Sequence, residues 1–526
     1  MLMFRKTMPF LSFCLALATS ITLPAVAQTR PAAFDSASLV RSLSDADAPQ
    51  GAVLLDKVKP DQVPAFIAAF DPNNLRADAH DAIMQCVADL VRRARAARLV
   101  AYQAAEKEWD LRTGLAVYKA SGHRDSAWDA LAIDALSSNA SATRAEGAKK
   151  YHTAIEAGCT DPLVRYYDIR RALLVKAIAP AAGLAQYVAL LPDLDKSAYS
   201  PVRKFQIRIQ MLNLCMKDLP NNLLLAQQSW KEAVKLLPEI GSEKPGHLLL
   251  TDAFDALDSS GPKLGHSIKA DFDKIFPHMI ALFPNDPYPY AYAAKFYTSW
   301  AWEARGSGWA NSVTEDGWRL FGNRLAQAEQ AATTGATLDP LNGPCPAAMI
   351  TICMGRSYDR SVMEKWFTRA MLANPDNDFA CRAKYTYLLP KWGGSVPDVI
   401  EFGRECLNTG TVESRIPVIL VDVHCQLAED SGDEDVYFSQ PDVWTDINAV
   451  YKKLLHNAQR KTSDHENWLF DQAKYIEYAY KCHQWQAVLD LMDQFKDDID
   501  FNVFGGKAIY NFYKKRAAQQ LAKSPI

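Results

Sequence analysis

Long apolar runs are scarce in this chain. After residue 23, no stretch stays apolar for the ~20 residues that a membrane-crossing helix needs. An excess of either charge is also missing, with 58 Lys and Arg against 61 Asp and Glu. A nucleic-acid binder requires a concentrated basic face, so that class is not expected. The ten histidines form no His-x-x-x-His pair and the ten cysteines no Cys-x-x-Cys pair, which removes the common zinc spacings. No Gly-x-Ser-x-Gly elbow and no glycine-rich phosphate loop with a following lysine occurs. No cofactor, metal site or catalytic residue is therefore assigned from sequence.

The apolar run that is present lies at the start. Arg5 and Lys6 precede an uncharged segment from Met8 to Leu23, and Ala25-Val26-Ala27 supplies small residues at a cleavage position. This pattern is expected for a secretory leader over 1–27, removed before Gln28. The protein is then expected in the bacterial periplasm or outside the cell, with no membrane span after cleavage. Loss of Arg5 and Lys6 leaves 56 basic against 61 acidic residues. Cys14 falls inside the leader, and nine cysteines remain at scattered positions. An odd, dispersed set suits buried apolar fillers with one or two bridges rather than a disulfide framework.

Aromatic residues are plentiful, with 12 Trp and 21 Tyr, and exclude disorder over most of the length. Apolar residues recur at three-to-four spacing, as at Ile83, Cys86, Val87, Leu90 and Val91. Such segments end repeatedly at a proline turn: Asn374-Pro375-Asp376, Asp339-Pro340, Pro284-Asn285-Asp286 and Asp161-Pro162. Pro180, Pro192 and Pro238 also read as helix breaks. The run Val418 to Val423 is β-branched, but its neighbours are helical in pattern and helix is expected there. The basic cluster Arg92, Arg93, Arg95 and Arg98 reads as a solvated helix face.

Helix, proline turn, helix describes stacked helical hairpins, each covering its neighbour's apolar face. Phe367 and Phe402 are 35 residues apart, as are Pro340 and Pro375, close to the 34-residue tetratricopeptide period. The expected fold is all-α, a diverged tetratricopeptide-like α-solenoid. Its expected organisation is an N-terminal helical region over 28–260, repeats over 261–410 and a C-terminal helical region over 411–526. The spacing from Pro284 to Pro340 is about twenty residues too long for one repeat, and the surplus is read as an inserted loop over 298–318. That segment carries Trp300, Trp302, Glu303, Arg305, Trp309 and Trp318, and a second aromatic, glycine-rich loop carries Trp392.

These two loops resemble those of an uncharacterised family of exported bacterial proteins with tetratricopeptide-like hairpins. The shared words are Trp302-Glu303-Ala304-Arg305-Gly306-Ser307-Gly308, Thr314-Glu315-Asp316-Gly317-Trp318 and Leu389-Pro390-Lys391-Trp392-Gly393-Gly394. The resemblance is strongest over 264–410 and implies fold and compartment, with no activity to transfer. Two roles stay open for the tryptophans: anchors of core and loop, or a ligand-facing platform that contacts a protein, peptide or glycan. Glu303 is expected to pair with Arg305 or Arg319 and clamp the loop. The alternative is a cell-envelope hydrolase working through Glu303 or Glu315. His424-Cys425 and Cys482-His483 are too divergent on a helix to share a metal easily, and are expected as buried cysteine beside surface histidine.

Overall fold

The computed structural model describes residues 34–122, 127–138, 143–218, 222–242, 247–409, 414–456 and 460–523. The leader, residues 1–27, lies outside the described residues. Every regular element among the described residues is helical, so the chain is all-α. Consecutive helices pack against each other along the chain, and none of the described helices is long and apolar enough to cross a membrane.

The central part consists of three helix pairs: Pro287–Arg305 with Glu315–Leu338, Pro344–Gly355 with Arg360–Ala373, and Asp378–Tyr387 with Val396–Asn408. Their boundaries follow from local chemistry. Asp286 and Asn377 accept backbone N–H bonds at the start of their helices, and Ser395 does the same from Asp398. Prolines occupy the first turns at Pro287, Pro344 and Pro397, where their missing N–H costs nothing. Phe367 and Phe402 meet edge to face at 5.5 Å, joining the second pair to the third. The ammonium of buried Lys384 lies 4.3 and 4.6 Å from their ring centres.

The surplus before Pro340 is not one inserted loop. Most of it lengthens the first pair to 19 and 24 residues, against 12 and 14 in the second. Only the stretch 306–314 connects the two helices. The run Ile419–Ser431 is helical, as its neighbours imply. Pro192, expected as a break, lies within the helix Pro180–Lys196. Leu190 and Leu194 beside it are wholly buried, and that packing holds the helix through the lost hydrogen bond.

The basic cluster is a solvated face only at exposed Arg93. It lies on the helix His80–Asp110, which crosses the turns that end successive pairs. Arg92 binds Asp376 at 2.9 Å, and Arg98 binds Asp339 at 2.5 Å. Arg95 donates to the carbonyls of Leu341 and Ala373. Cations are thus delivered to helix C-termini, where unpaired carbonyls concentrate negative charge. Arg92 and Arg98 are about 9 Å apart along a helix, close to the spacing of packed helices. Leu341 and Leu372 complete the N-terminal core formed by residues such as Phe66, Ile83 and Leu90.

All nine cysteines from Cys86 to Cys482 are free, so the expected one or two bridges are absent. Most are buried as apolar filling. Burial pushes the Cys345, Cys353 and Cys482 thiols up to about 12. Alkylation of native protein with iodoacetamide at pH 8 should therefore modify half-buried Cys86 first. Peptide mapping that finds those three buried thiols labelled at the Cys86 rate would refute this packing.

Candidate functional site

Each of the three central pairs turns back on itself at the same end, opposite the end held by His80–Asp110. The connections 306–314, 356–359 and 388–395 therefore gather at one edge. Their local sequence fixes their shape. Gly306 ends its helix with φ +73° while its N–H donates to the Trp302 carbonyl, a conformation open to glycine at little cost. Thr314 caps the next helix by accepting from the Gly317 N–H at 3.0 Å. Gly393 has φ +94° and closes the tight turn that carries Trp392.

These connections enclose an open cleft of about 760 Å³. The first pair contributes Trp302, Arg305, Trp309, Trp318 and Phe321; the second contributes Tyr358, Asp359 and Arg360; the third contributes Tyr387, Lys391, Trp392 and Asp398. At its centre the Arg305 guanidinium lies 5.5, 5.6 and 5.7 Å from the ring centres of Trp302, Trp318 and Trp392. Trp302 meets Trp392 edge to face at 5.4 Å. Phe321 stands edge to face beneath both Trp302 and Trp318. Trp309 projects from the rim and is 80% exposed.

Five of the seven sequence-selected residues thus line one cleft: Trp302, Arg305, Trp309, Trp318 and Trp392. The other two do not. Trp300 belongs to an aromatic core stack with Phe296, under the Arg324 guanidinium at 3.5 Å. Glu303 is exposed and lies outside the cleft. The expected clamp is not formed either. Arg319 pairs with Asp316, one turn away, and Arg305 donates to the carbonyls of Gly306 and Gly308. Glu303 has no ion-pair partner among the described residues. The helix periodicity explains this, because positions two apart point about 200° away from each other.

Tyr358, Arg360, Tyr387 and Asp398 were missed. A usable signal existed, since all four sit at the connections of pairs adjoining the tryptophan loop. Arg360 donates to Asp398 at 2.9 Å. Hydrogen bonds from Ser395 and Arg360 hold the Asp398 carboxyl below its ordinary value. Burial pushes the Tyr387 phenol up, so it stays a neutral donor.

The reverse side of Trp302 borders a second, more apolar groove of about 920 Å³. It runs along the first helices of the same three pairs, past Tyr288, Tyr292, Ala348 and exposed Phe379. Trp302 is common to groove and cleft.

The histidine–cysteine pairs take up protein partners. His424 is buried, contrary to expectation, with one ring nitrogen 3.0 Å from the Tyr437 hydroxyl and the other 3.1 Å from Asp446. His483 contacts Asp435, and Cys425 contacts Tyr478. No group of metal-ligating side chains forms among the described residues.

No family model and no curated protein matches this chain.

Proposed function

We propose that the protein is an exported, tetratricopeptide-like helical-repeat protein that binds a peptide, protein or glycan partner in the periplasm or outside the cell. The observation that carries this reading is the convergence of Trp302, Trp318 and Trp392 around Arg305, beneath exposed Trp309, in one open cleft. Aromatic and arginine side chains supply most of the contact energy where they meet a partner. Large aromatic faces left exposed on a folded domain mark interaction sites. The adjoining groove extends the surface along the helix pairs, which suits an elongated ligand.

The hydrolase reading through Glu303 or Glu315 gains no comparable support. Both carboxylates are exposed and neither lines the cleft. A glycosidase acid needs a desolvated setting to raise its proton affinity.

Trp309→Ala separates binding from folding. The side chain is so exposed that stability should change by no more than about 0.5 kcal/mol. Retention of the ligand from an array of glycans and peptides should fall by about tenfold or more. Equal retention by wild type and variant would remove the cleft as the binding surface.

A further inference from the structure

Arg305 has its charge unanswered at the centre of the cleft. One terminal nitrogen, Nη1, is occupied by the carbonyls of Gly306 and Gly308 at 3.1 and 3.0 Å. Nε and Nη2 have no hydrogen-bond partner, and no carboxylate pairs with the group, among the described residues. The neighbouring cations are matched: Arg360 with Asp398 at 2.9 Å, and Lys391 with Asp430 at 3.7 Å. Three indoles surround half-buried Arg305 without neutralising it. An anion arriving there gains a charge-assisted bond from the free Nε and Nη2 donors.

Two further groups define what carries that anion. Trp309 offers an exposed aromatic face, whose negative quadrupole suits the weakly positive C–H face of a sugar ring. Asp359 is an exposed carboxylate on the rim with no cation partner among the described residues. Its oxygens accept from hydroxyl donors. An extended peptide laid on the aromatic surface is the competing occupant, and the test includes it.

We propose that the cleft takes an acidic saccharide, a chain of uronic-acid sugars, with one carboxylate on Arg305, a ring face on Trp309 and hydroxyls on Asp359. This rests on the ligand-binding reading above and adds the chemical class.

The test titrates the full chain with oligogalacturonate, oligomannuronate and hyaluronan oligosaccharide, each compared with its carboxyl methyl ester. Tryptophan emission and calorimetry report binding. At least one acid should bind about tenfold tighter than its ester, with the preference shrinking as salt rises. Arg305→Gln should abolish that preference, and Arg305→Lys should keep part of it. Should Arg305→Gln fail to fold by circular dichroism, the acid–ester comparison in wild type and Arg305→Lys carries the test. Equal binding of acid and ester would overturn the carboxylate pairing while the ligand-binding reading stands. Binding only of extended peptides, lost in Trp309→Ala, would overturn the saccharide class. Absence of binding from both classes would remove the ligand-binding reading itself.

Discussion

Asp471→Leu is expected to destabilise the C-terminal helices by about 3–5 kcal/mol. Asp471 is 1% exposed and answers two arginines at once. Its carboxylate accepts from both terminal nitrogens of Arg415 at 3.0 Å and from Arg460 at 3.1 Å. Arg460 is itself fully buried and donates also to the Leu454 carbonyl. Burial alone lowers the proton affinity of Arg415, but its hydrogen bonds to Asp471 and that carboxylate's charge together outweigh burial and raise it. Neither guanidinium can shed its proton to escape. Removing the carboxylate therefore leaves Arg415 without its ion pair and buried Arg460 with only the longer contact to Asp464 at 3.4 Å. The chain holds several cores, so one global unfolding curve would blur the effect. Hydrogen exchange in the helix His465–Lys481 is the direct measurement. Protection within about 0.5 kcal/mol of wild type would refute the account.

That triad was not readable beforehand, and the reason is general. Arg415 and Asp471 are separated by 56 residues, and Arg92 and Asp376 by 284. Periodicity identifies the apolar face of a helix and leaves open what covers the polar one. The arginines of His80–Asp110 look solvated in sequence because nothing local marks the carbonyls and aspartates they reach. Features set by near neighbours were legible: the proline turns, the Thr314 cap and the helical character of Ile419–Ser431. The Phe367–Phe402 contact was also readable, since stacking of consecutive helix pairs converts distance along the chain into adjacency in space. The same logic explains the cleft. Trp309 lies in one connection, Trp302 and Trp318 on the helices that flank it, and Trp392 in the connection two pairs on. Stacking brings such connections to one edge. Glu303 and Trp300 lie in the same dense segment, yet helix rotation turns both away from it.

The second large effect tests whether the turn at Leu389–Gly394 fixes the cleft. A methyl group added at Gly394 would fall on the carbonyl of Leu388. Leu388 and Leu389 are buried to 1% exposure and have no room to retreat. The turn is held by Trp392 N–H donating to Leu389 and Gly393 N–H donating to Pro390, at 2.9 and 3.2 Å. Gly394→Ala must therefore shift the loop, and with it the Trp392 ring that closes the cage on Arg305. Overpacking of this kind costs about 1–3 kcal/mol. Ligand affinity should fall by about tenfold or more, because a rigid aromatic wall has moved. Gly393→Ala is the matched control. Gly393 has φ +94° with open space around its Cβ direction. Its substitution costs about 1–2 kcal/mol of backbone strain but pushes against no neighbour, so affinity should hold within about twofold of wild type. The two variants thus differ by one position and separate strain from displacement. Equal affinity in both would mean that Trp392 keeps its place without the turn, and that the cage is set by the helices alone.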